Sequence, residues 1–408
     1  MAQSESYLIV GAGIAGGAAA ETLRKQGFDG EVHLVGAEPH RPYDRPPLSK
    51  EFLSGDKEEA KLFFKMEDFY AEHSIELHLG AEATALDASS NTLTLADRQA
   101  IHYDKLLLAT GSKVKKLPVP GSDLAGVHYL RTIEDSRAIA RSMNGAGKAV
   151  IVGAGFIGSE VAAVCKTTGL DVTVLEIQAQ PMAHILGDRM GSVYADLHTH
   201  RGVDLRLGEG ISEIRGHTRA EQVITDRGLT IDCDLVVIGV GIAPDTFLAE
   251  DAGLDVDSGI LVDEHCRTSN PDIFAAGDVA NWFHPGLGRR LRVEHWDNAL
   301  NQGAAAAKSM LCTPEPYSPT LYFWSDQYDL NIQYLGHAAA WDHIAIRGNP
   351  AEEKFTAFYL KDGSVHGALV VNNFRDIRPT RTLIGQKIPV DAQALTDESV
   401  NLKQLTRG

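Results

Sequence analysis

A chain of 408 residues with 44% hydrophobic content exceeds what one hydrophobic core usually supports and predicts two or three domains. A net charge of -17 argues against nucleic acid or an anionic membrane as general partner, because both call for a basic face. No apolar run approaches the roughly 20 residues that span a bilayer, and residues 1–6 lack the charged and apolar regions of a secretory signal, so a soluble, cytoplasmic protein is expected.

The chain opens with an apolar strand (7–10), the turn Gly11-Ala12-Gly13-Ile14-Ala15-Gly16, a helix to about Gln26 and a second strand (32–35). That is the dinucleotide fingerprint. Its first glycine permits the tight turn, the second lets backbone amides approach a pyrophosphate, and the third lets helix and strand pack closely. The helix N-terminus adds partial positive charge, worth about 0.3–1 kcal/mol to an anion. The acid that should end the second strand is displaced: Gly36 stands there, and Glu38, two residues on, is read as the ribose ligand.

Prolines in the stretch 41–50 exclude a helix before Leu48 and hold it stiff and extended. It could set Arg45 and Lys50 against a phosphate or an electron-rich ring, or be a solvated connection. Residues 75–103 alternate in short runs and predict an antiparallel β-insert turning at Ser89-Ser90-Asn91. A buried strand (103–112), a proline-marked linker (113–120) and the start of a helix (130–135) follow.

Residues 149–176 then repeat the opening: strand, Gly153-Ala154-Gly155-Phe156-Ile157-Gly158, helix, and a strand ending in Glu176, whose carboxylate would grip ribose hydroxyls. An internal repeat of this kind predicts two bound dinucleotides; the bland alternative is two glycine turns kept for packing. The echo continues through a second β-insert (203–230) and a second closing strand (233–244). Residues 272–280 read as a strand, a glycine and a helix start, with Asp278 placed to meet a ribityl chain or merely to cap the helix. From about Tyr317 strand-like runs and a helix (377–386) suggest a small α+β domain, with a polar tail (392–408), flexible in part.

Cys165, Cys233, Cys266 and Cys312 show no CxxC or metal-ligand spacing and are read as reduced thiols in or near the core. His198 and His200 are not at i, i+4, and His73, His78 and His102 fall in different segments, so no metal site is assigned.

Together, the two glycine turns, Arg45-Pro46-Pro47-Leu48-Ser49-Lys50, Leu108-Ala109-Thr110-Gly111, Gly239-Val240-Gly241, Ala276-Gly277-Asp278 and Phe323-Trp324-Ser325-Asp326-Gln327-Tyr328 resemble the FAD-dependent, NADH-using ferredoxin reductases of bacterial aromatic-ring (biphenyl-type) dioxygenase systems, within the glutathione-reductase-like flavoproteins. The resemblance implies an α/β fold with two Rossmann-like domains and a small α+β C-terminal domain. Residues 1–112 and 239–317 would bind FAD, 113–238 NADH, and 318–408 would form the last domain. It carries over FAD contacts at Gly11, Gly13, Ala15, Gly16, Glu38, Arg45, Lys50, Ala83, Arg131, Asp278 and Trp296. NADH contacts fall at Gly153, Gly155, Phe156, Ile157, Gly158, Glu160, Glu176 and Gly241, and Lys50, Glu160 and Trp324 are marked for catalysis, although Trp324 read alone is equally a half-buried core residue.

Glu176 favours NADH over NADPH, because an added 2′-phosphate would face a carboxylate with no arginine beside it. Residues 28–61 contain no cysteine, so the disulfide relay of related reductases is missing and electrons would leave from the flavin itself. The implied acceptor is a Rieske-type [2Fe-2S] ferredoxin, whose potentials of about -150 to +300 mV lie downhill from NADH. It would dock on Arg289, Arg290 and Arg292 or on Arg375, Arg378 and Arg381, unless these are ordinary surface charge. A rubredoxin or quinone reductase and an NADH oxidase stay open as alternatives.

Overall fold

The computed structural model describes residues 4–407. Met1–Gln3, within the stretch read for a secretory signal, and Gly408, the end of the tail, lie outside the described residues. The chain divides into two compact units. The first holds residues up to Asp44, Glu59–Lys113 and Ile242–Pro319; the second holds Arg45–Glu58, Val114–Gly241 and everything from Thr320 onward.

The core of the first unit is a five-stranded parallel sheet in the order Ile273–Ala275, Lys105–Leu108, Ser6–Val10, Glu31–Gly36, Ile75–Leu79. Its central strand is buried along its whole length, as a parallel sheet covered on both faces requires. Burying a side chain such as Leu8 or Ile9 completely contributes about 1.5–3 kcal/mol. The first helix, Ile14–Lys25, is mostly Ala and Gly on its buried side, which lets it cross the Trp296–Met310 helix so closely that a Cβ on Gly303 would meet the Ala15 carbonyl at 2.2 Å.

The second unit repeats this sheet in the order Asp204–Leu207, Asp171–Glu176, Lys148–Val152, Leu235–Ile238, Val127–His128, again parallel throughout. A five-stranded antiparallel sheet built from residues 322–371 carries the Phe374–Gly385 helix.

Several expected elements differ. Ile75–Leu79 and Asp204–Leu207 are not strands of the antiparallel inserts but parallel edge strands of the two main sheets; the inserts proper are the three-stranded meanders 83–102 and 211–232. An edge strand is half exposed and alternates as a hairpin strand does. The proline stretch is not extended to Leu48, because Pro46–Ser49 forms a 3-10 turn; proline is tolerated in a first helical turn, where its missing N–H bonds nothing. The helix expected at Asp278 is a single 3-10 turn, Gly277–Val279, that runs into the Ala280–His284 strand. The tail is fastened by the short helices Ala392–Thr396 and Leu402–Leu405, through buried Leu395 and Leu402. All four cysteines are free and three are buried, but Cys312 is exposed. Among the described residues no helix is long and apolar enough to cross a membrane.

Candidate functional site

The two glycine turns are built alike. Gly11 and Gly153 have φ of +116° and +100°, and a Cβ on either would strike the carbonyl of Ala109 or Gly239 at 2.0 or 2.5 Å. Gly16 and Gly158 lie so close to the carbonyls of Gly11 and Gly153 that a Cβ would fall 2.0 Å away in both. These glycines are required by the protein's own packing. The middle ones are not, since a Cβ on Gly13 or Gly155 would have nothing within 4 Å. Each is the N-cap of its helix with no side-chain cap, so no cap side chain takes the first-turn N–H groups, a fitting cradle for a pyrophosphate.

In the first unit Ala15 packs beneath this turn, where a Cβ on Gly277 would meet its Cβ at 3.1 Å; Asp278 is thereby set beside the helix start. Gln302 Oε1 accepts the Gly277 N–H at 2.9 Å and fixes that approach. Glu38 accepts a hydrogen bond from the Tyr43 hydroxyl at 2.6 Å, and its carbonyl accepts the Gly80 N–H at 2.9 Å, which leads the chain toward Ala83 at the start of the meander. Trp296, first residue of its helix, donates its indole N–H to Asp44 at 2.7 Å.

In the second unit Glu176 is almost fully buried. Its Oε2 accepts the Ala154 N–H at 2.7 Å and its Oε1 the Gln178 N–H at 2.8 Å, so it organises the glycine turn. Ile157 is exposed at the helix start, Phe156 meets Phe323 edge-on at 4.6 Å, and the Gly241 carbonyl accepts the Lys115 N–H at 3.0 Å. Arg45 donates to the Arg131 carbonyl at 2.5 Å, while the Arg131 N–H is held by Asp135 at 2.9 Å inside the capping box of the Ile133–Met143 helix.

One turn into the second fingerprint helix, Glu160 is 2% exposed and Lys50 8%, and Lys50 Nζ lies 2.8 Å from Glu160 Oε2. Ser49 donates to the same oxygen. The Pro46 carbonyl takes a further Lys50 proton at 3.0 Å, so the 3-10 turn aims both side chains at Glu160. Breaking such a pair from one side leaves a buried charge uncompensated and costs about 3–5 kcal/mol.

From Glu160 a buried polar chain runs on that the sequence reading missed. Ser325 donates to Glu160 Oε1 at 2.6 Å. Gln327 donates to Ser325 at 2.9 Å and to the Tyr194 hydroxyl. Its Oε1 lies 3.0 Å from His198 Nε2, and His198 Nδ1 lies 3.0 Å from the Tyr328 hydroxyl. These partners assign the proton to Nε2, with Nδ1 accepting from Tyr328. Burial pushes His198 down to about 4, with Arg201 adding to the effect. The available signal was the strand 322–327, whose inward positions, Phe323, Ser325 and Gln327, mix polar with apolar residues. Trp324 points to the opposite face, half buried, its ring 6.1 Å from Tyr322 and nearly parallel to it; Arg381 stacks on Tyr322 at 5.2 Å. Cys165, on the same helix as Glu160, is fully buried and pushed up to about 12 by desolvation, which suits a packing residue rather than a thiolate nucleophile.

Two glycine turns of one design, each opening a helix, thus recur in the chain, the second with a buried carboxylate one turn into its helix. A family model described as pyridine nucleotide-disulphide oxidoreductase matches residues 5–303, and one described as reductase C-terminal matches 322–406. The chain belongs to the pyridine nucleotide-disulphide oxidoreductase family and has its fold. It is similar to rhodocoxin reductase of Rhodococcus erythropolis, 39% identical over 98% of this chain and 93% of that protein. It is likewise similar to the anthranilate 1,2-dioxygenase system ferredoxin--NAD(+) reductase component of Burkholderia cepacia, 39% identical over 98% and 99%. The crystal structure of the covalent putidaredoxin reductase-putidaredoxin complex matches with a TM-score of 0.96 at 34% identity, covering 99% of each chain.

Proposed function

We propose that this chain passes electrons from NADH through FAD, one at a time, to a Rieske-type [2Fe-2S] ferredoxin that feeds an aromatic-ring-hydroxylating dioxygenase in the cytoplasm. The enzyme is a ferredoxin reductase of the ferredoxin--NAD(+) type, and its cofactors are FAD and NAD(P)H. The observation that carries the reading is the pair of helix N-termini whose middle glycines face open space. The first would hold FAD, with Gly11, Gly13, Ala15, Gly16, Glu38, Ala83, Asp278 and Trp296. The second would hold NADH, with Glu176 on the ribose. Bound FAD would supply the junction between a two-electron hydride donor and one-electron acceptors. The protein's part is to bind and orient: glycine-turn amides take the pyrophosphates, and Glu160 and Ser49 hold the Lys50 ammonium in one place.

Stopped-flow reduction by NADH and by NADPH, followed by ferredoxin, cytochrome c or oxygen, tests this. Fast bleaching by NADH with reoxidation only by the iron-sulfur carrier is expected; a preference for NADPH or for oxygen overturns the reading.

Of the two arginine clusters, Arg375, Arg378 and Arg381 suit docking better. All three are exposed on one helix beside exposed Phe374, and Arg381 leads through Tyr322 to Trp324. Arg290 and Arg292 are committed to the carbonyls of Val262, Asn281 and Asp278 and to Glu294. Charge reversal at 375, 378 and 381 should slow ferredoxin reduction at low salt by tenfold or more while leaving NADH bleaching unchanged.

A further inference from the structure

The sheet of the first unit carries a cluster that neither nucleotide cradle uses. Its edge strand Ile75–Leu79 pairs in parallel with Glu31–Gly36, placing Glu76 opposite His33 and His78 opposite Val35. Alternation along each strand then puts Glu31, His33, Glu76 and His78 on one face. His78, read in the sequence as lying apart from His73 and His102, meets His33 here: His33 Nδ1 is 3.2 Å from His78 Nε2 across a separation of 45 residues. Glu76 reaches over both, with Oε2 3.3 Å from His33 Nδ1 and Oε1 3.4 Å from His78 Nε2.

Glu76 thus turns one carboxylate oxygen to each imidazole nitrogen, at 3.3 and 3.4 Å, and the two nitrogens lie 3.2 Å apart, so one ligand atom from each residue lies within 4.8 Å of the others. A tetrahedral zinc ion with ligands at about 2.0–2.1 Å has ligand-to-ligand edges of about 3.3–3.4 Å. The other nitrogen of His33, Nε2, lies 3.6 Å from Glu31 Oε2, just outside hydrogen-bond range and on the side from which an outer carboxylate would orient a metal-bound imidazole. Both imidazoles are largely shielded, 14% and 13% exposed, whereas Glu76 is 62% exposed and leaves a path from solvent.

We propose that His33, Glu76 and His78 form a three-ligand site for a zinc-type divalent cation, with Glu31 orienting His33 and the fourth position open to water or an outside ligand. A cation there would clamp the edge strand to its neighbour.

The test titrates the chelator-treated, flavin-loaded full chain with Zn²⁺ by calorimetry, and with Co²⁺ by ligand-field absorption to the red of the flavin. One equivalent should bind, with a tetrahedral cobalt spectrum and a raised melting temperature. His33→Ala and His78→Ala should each weaken Zn²⁺ binding at least a hundredfold, and Glu31→Gln about tenfold. Should either histidine variant fail to fold, Glu76→Gln at its exposed position carries the test with an expected loss of tenfold or more. No binding, an octahedral cobalt spectrum, or affinity unchanged by Glu76→Gln overturns the proposal.

Discussion

The two nucleotide repeats share a backbone and differ in what each asks of its helix. Position for position the first and third glycines of both turns are pressed against carbonyl oxygens, and the second faces open space. The surroundings diverge. The first sheet takes its fifth strand from far downstream, Ile273–Ala275, the second from upstream, Val127–His128. Ala15 in the first helix is covered by Gly303 of another helix, while its counterpart Ile157 is exposed. Ala18 is a buried methyl, while its counterpart Glu160 is a buried carboxylate carrying Lys50. The strand-ending acid folds back onto its own turn in the second repeat, whereas Gly36 replaces it in the first and would, with a Cβ, lie 2.5 Å from the Ala12 side chain. One repeat is closed over by its own unit, and the other keeps polar and exposed groups at the same positions.

The shared part is broken most severely through the glycines. Gly16→Ala and Gly158→Ala place a methyl 2.0 Å from a carbonyl oxygen and should cost more than about 4 kcal/mol, the range of strained core substitutions; insoluble or flavin-free protein is expected on expression. Gly13→Ala and Gly155→Ala meet nothing and should fold normally. Their effects should separate, Gly13→Ala lowering flavin retention and Gly155→Ala raising KM for NADH with flavin content intact. Equal loss of flavin in both would show that the repeats do not hold different nucleotides.

The Ala18–Glu160 difference comes next. Glu160→Ala strands the buried Lys50 ammonium and should lower unfolding free energy by about 3–5 kcal/mol. Lys50→Met in that background should recover much of the loss, because it removes the unpaired charge, yet leave reduction by NADH slow. Recovery of both stability and rate would reduce the pair to a packing feature.

Glu176 is tested against its missing counterpart. Glu176→Ala releases the Ala154 and Gln178 amides as well as a ribose contact, so KM for NADH should rise about thirtyfold, roughly 2 kcal/mol for charge-assisted bonds, and the preference over NADPH should narrow. Glu38→Ala, two residues beyond the equivalent place, should change flavin retention and leave the NADH to NADPH ratio alone.

Both cradles were legible in the sequence because a fingerprint is a local device: turn, cap and strand lie within thirty or so residues, even though Gly11 and Gly153 answer to carbonyls at Ala109 and Gly239. What was not legible depends on partners distant in the chain. Ile75–Leu79 and Asp204–Leu207 alternate as hairpin strands do, and only pairing with Glu31–Gly36 and Asp171–Glu176 makes them parallel edges. The Lys50–Glu160 pair joins residues more than a hundred positions apart, and nothing in either local pattern announces the other. Phe323 to Tyr328 stood out as a motif, with Trp324 drawing notice, but the residue that reaches Glu160 is the plain Ser325, itself held by Gln327. Leu395 and Leu402 show the same limit at smaller scale, single apolar residues pinning a polar tail.

The buried chain from Glu160 to His198 has no counterpart in the first repeat, and acid should reveal it with the smallest effect. His198 sits at about 4 in the folded protein against 6.5 ordinarily. Between those values the unfolded chain binds a proton that the folded chain refuses, so this group's contribution is present above about pH 6.5 and is lost as pH falls toward 4. From pH 7 to 5.5 the loss should be roughly 1 kcal/mol, a regime in which most carboxylates have yet to titrate. His198→Asn should be less stable at pH 7, having given up one of two hydrogen bonds, but should lack that part of the slope, so the difference between the two proteins narrows on acidification. Ser325→Ala cuts the chain next to Glu160 while leaving His198, Gln327 and Tyr328 in contact; it should lower stability by about 1–3 kcal/mol with the acid slope retained. If Ser325→Ala flattened the slope as well, the slope would not belong to His198.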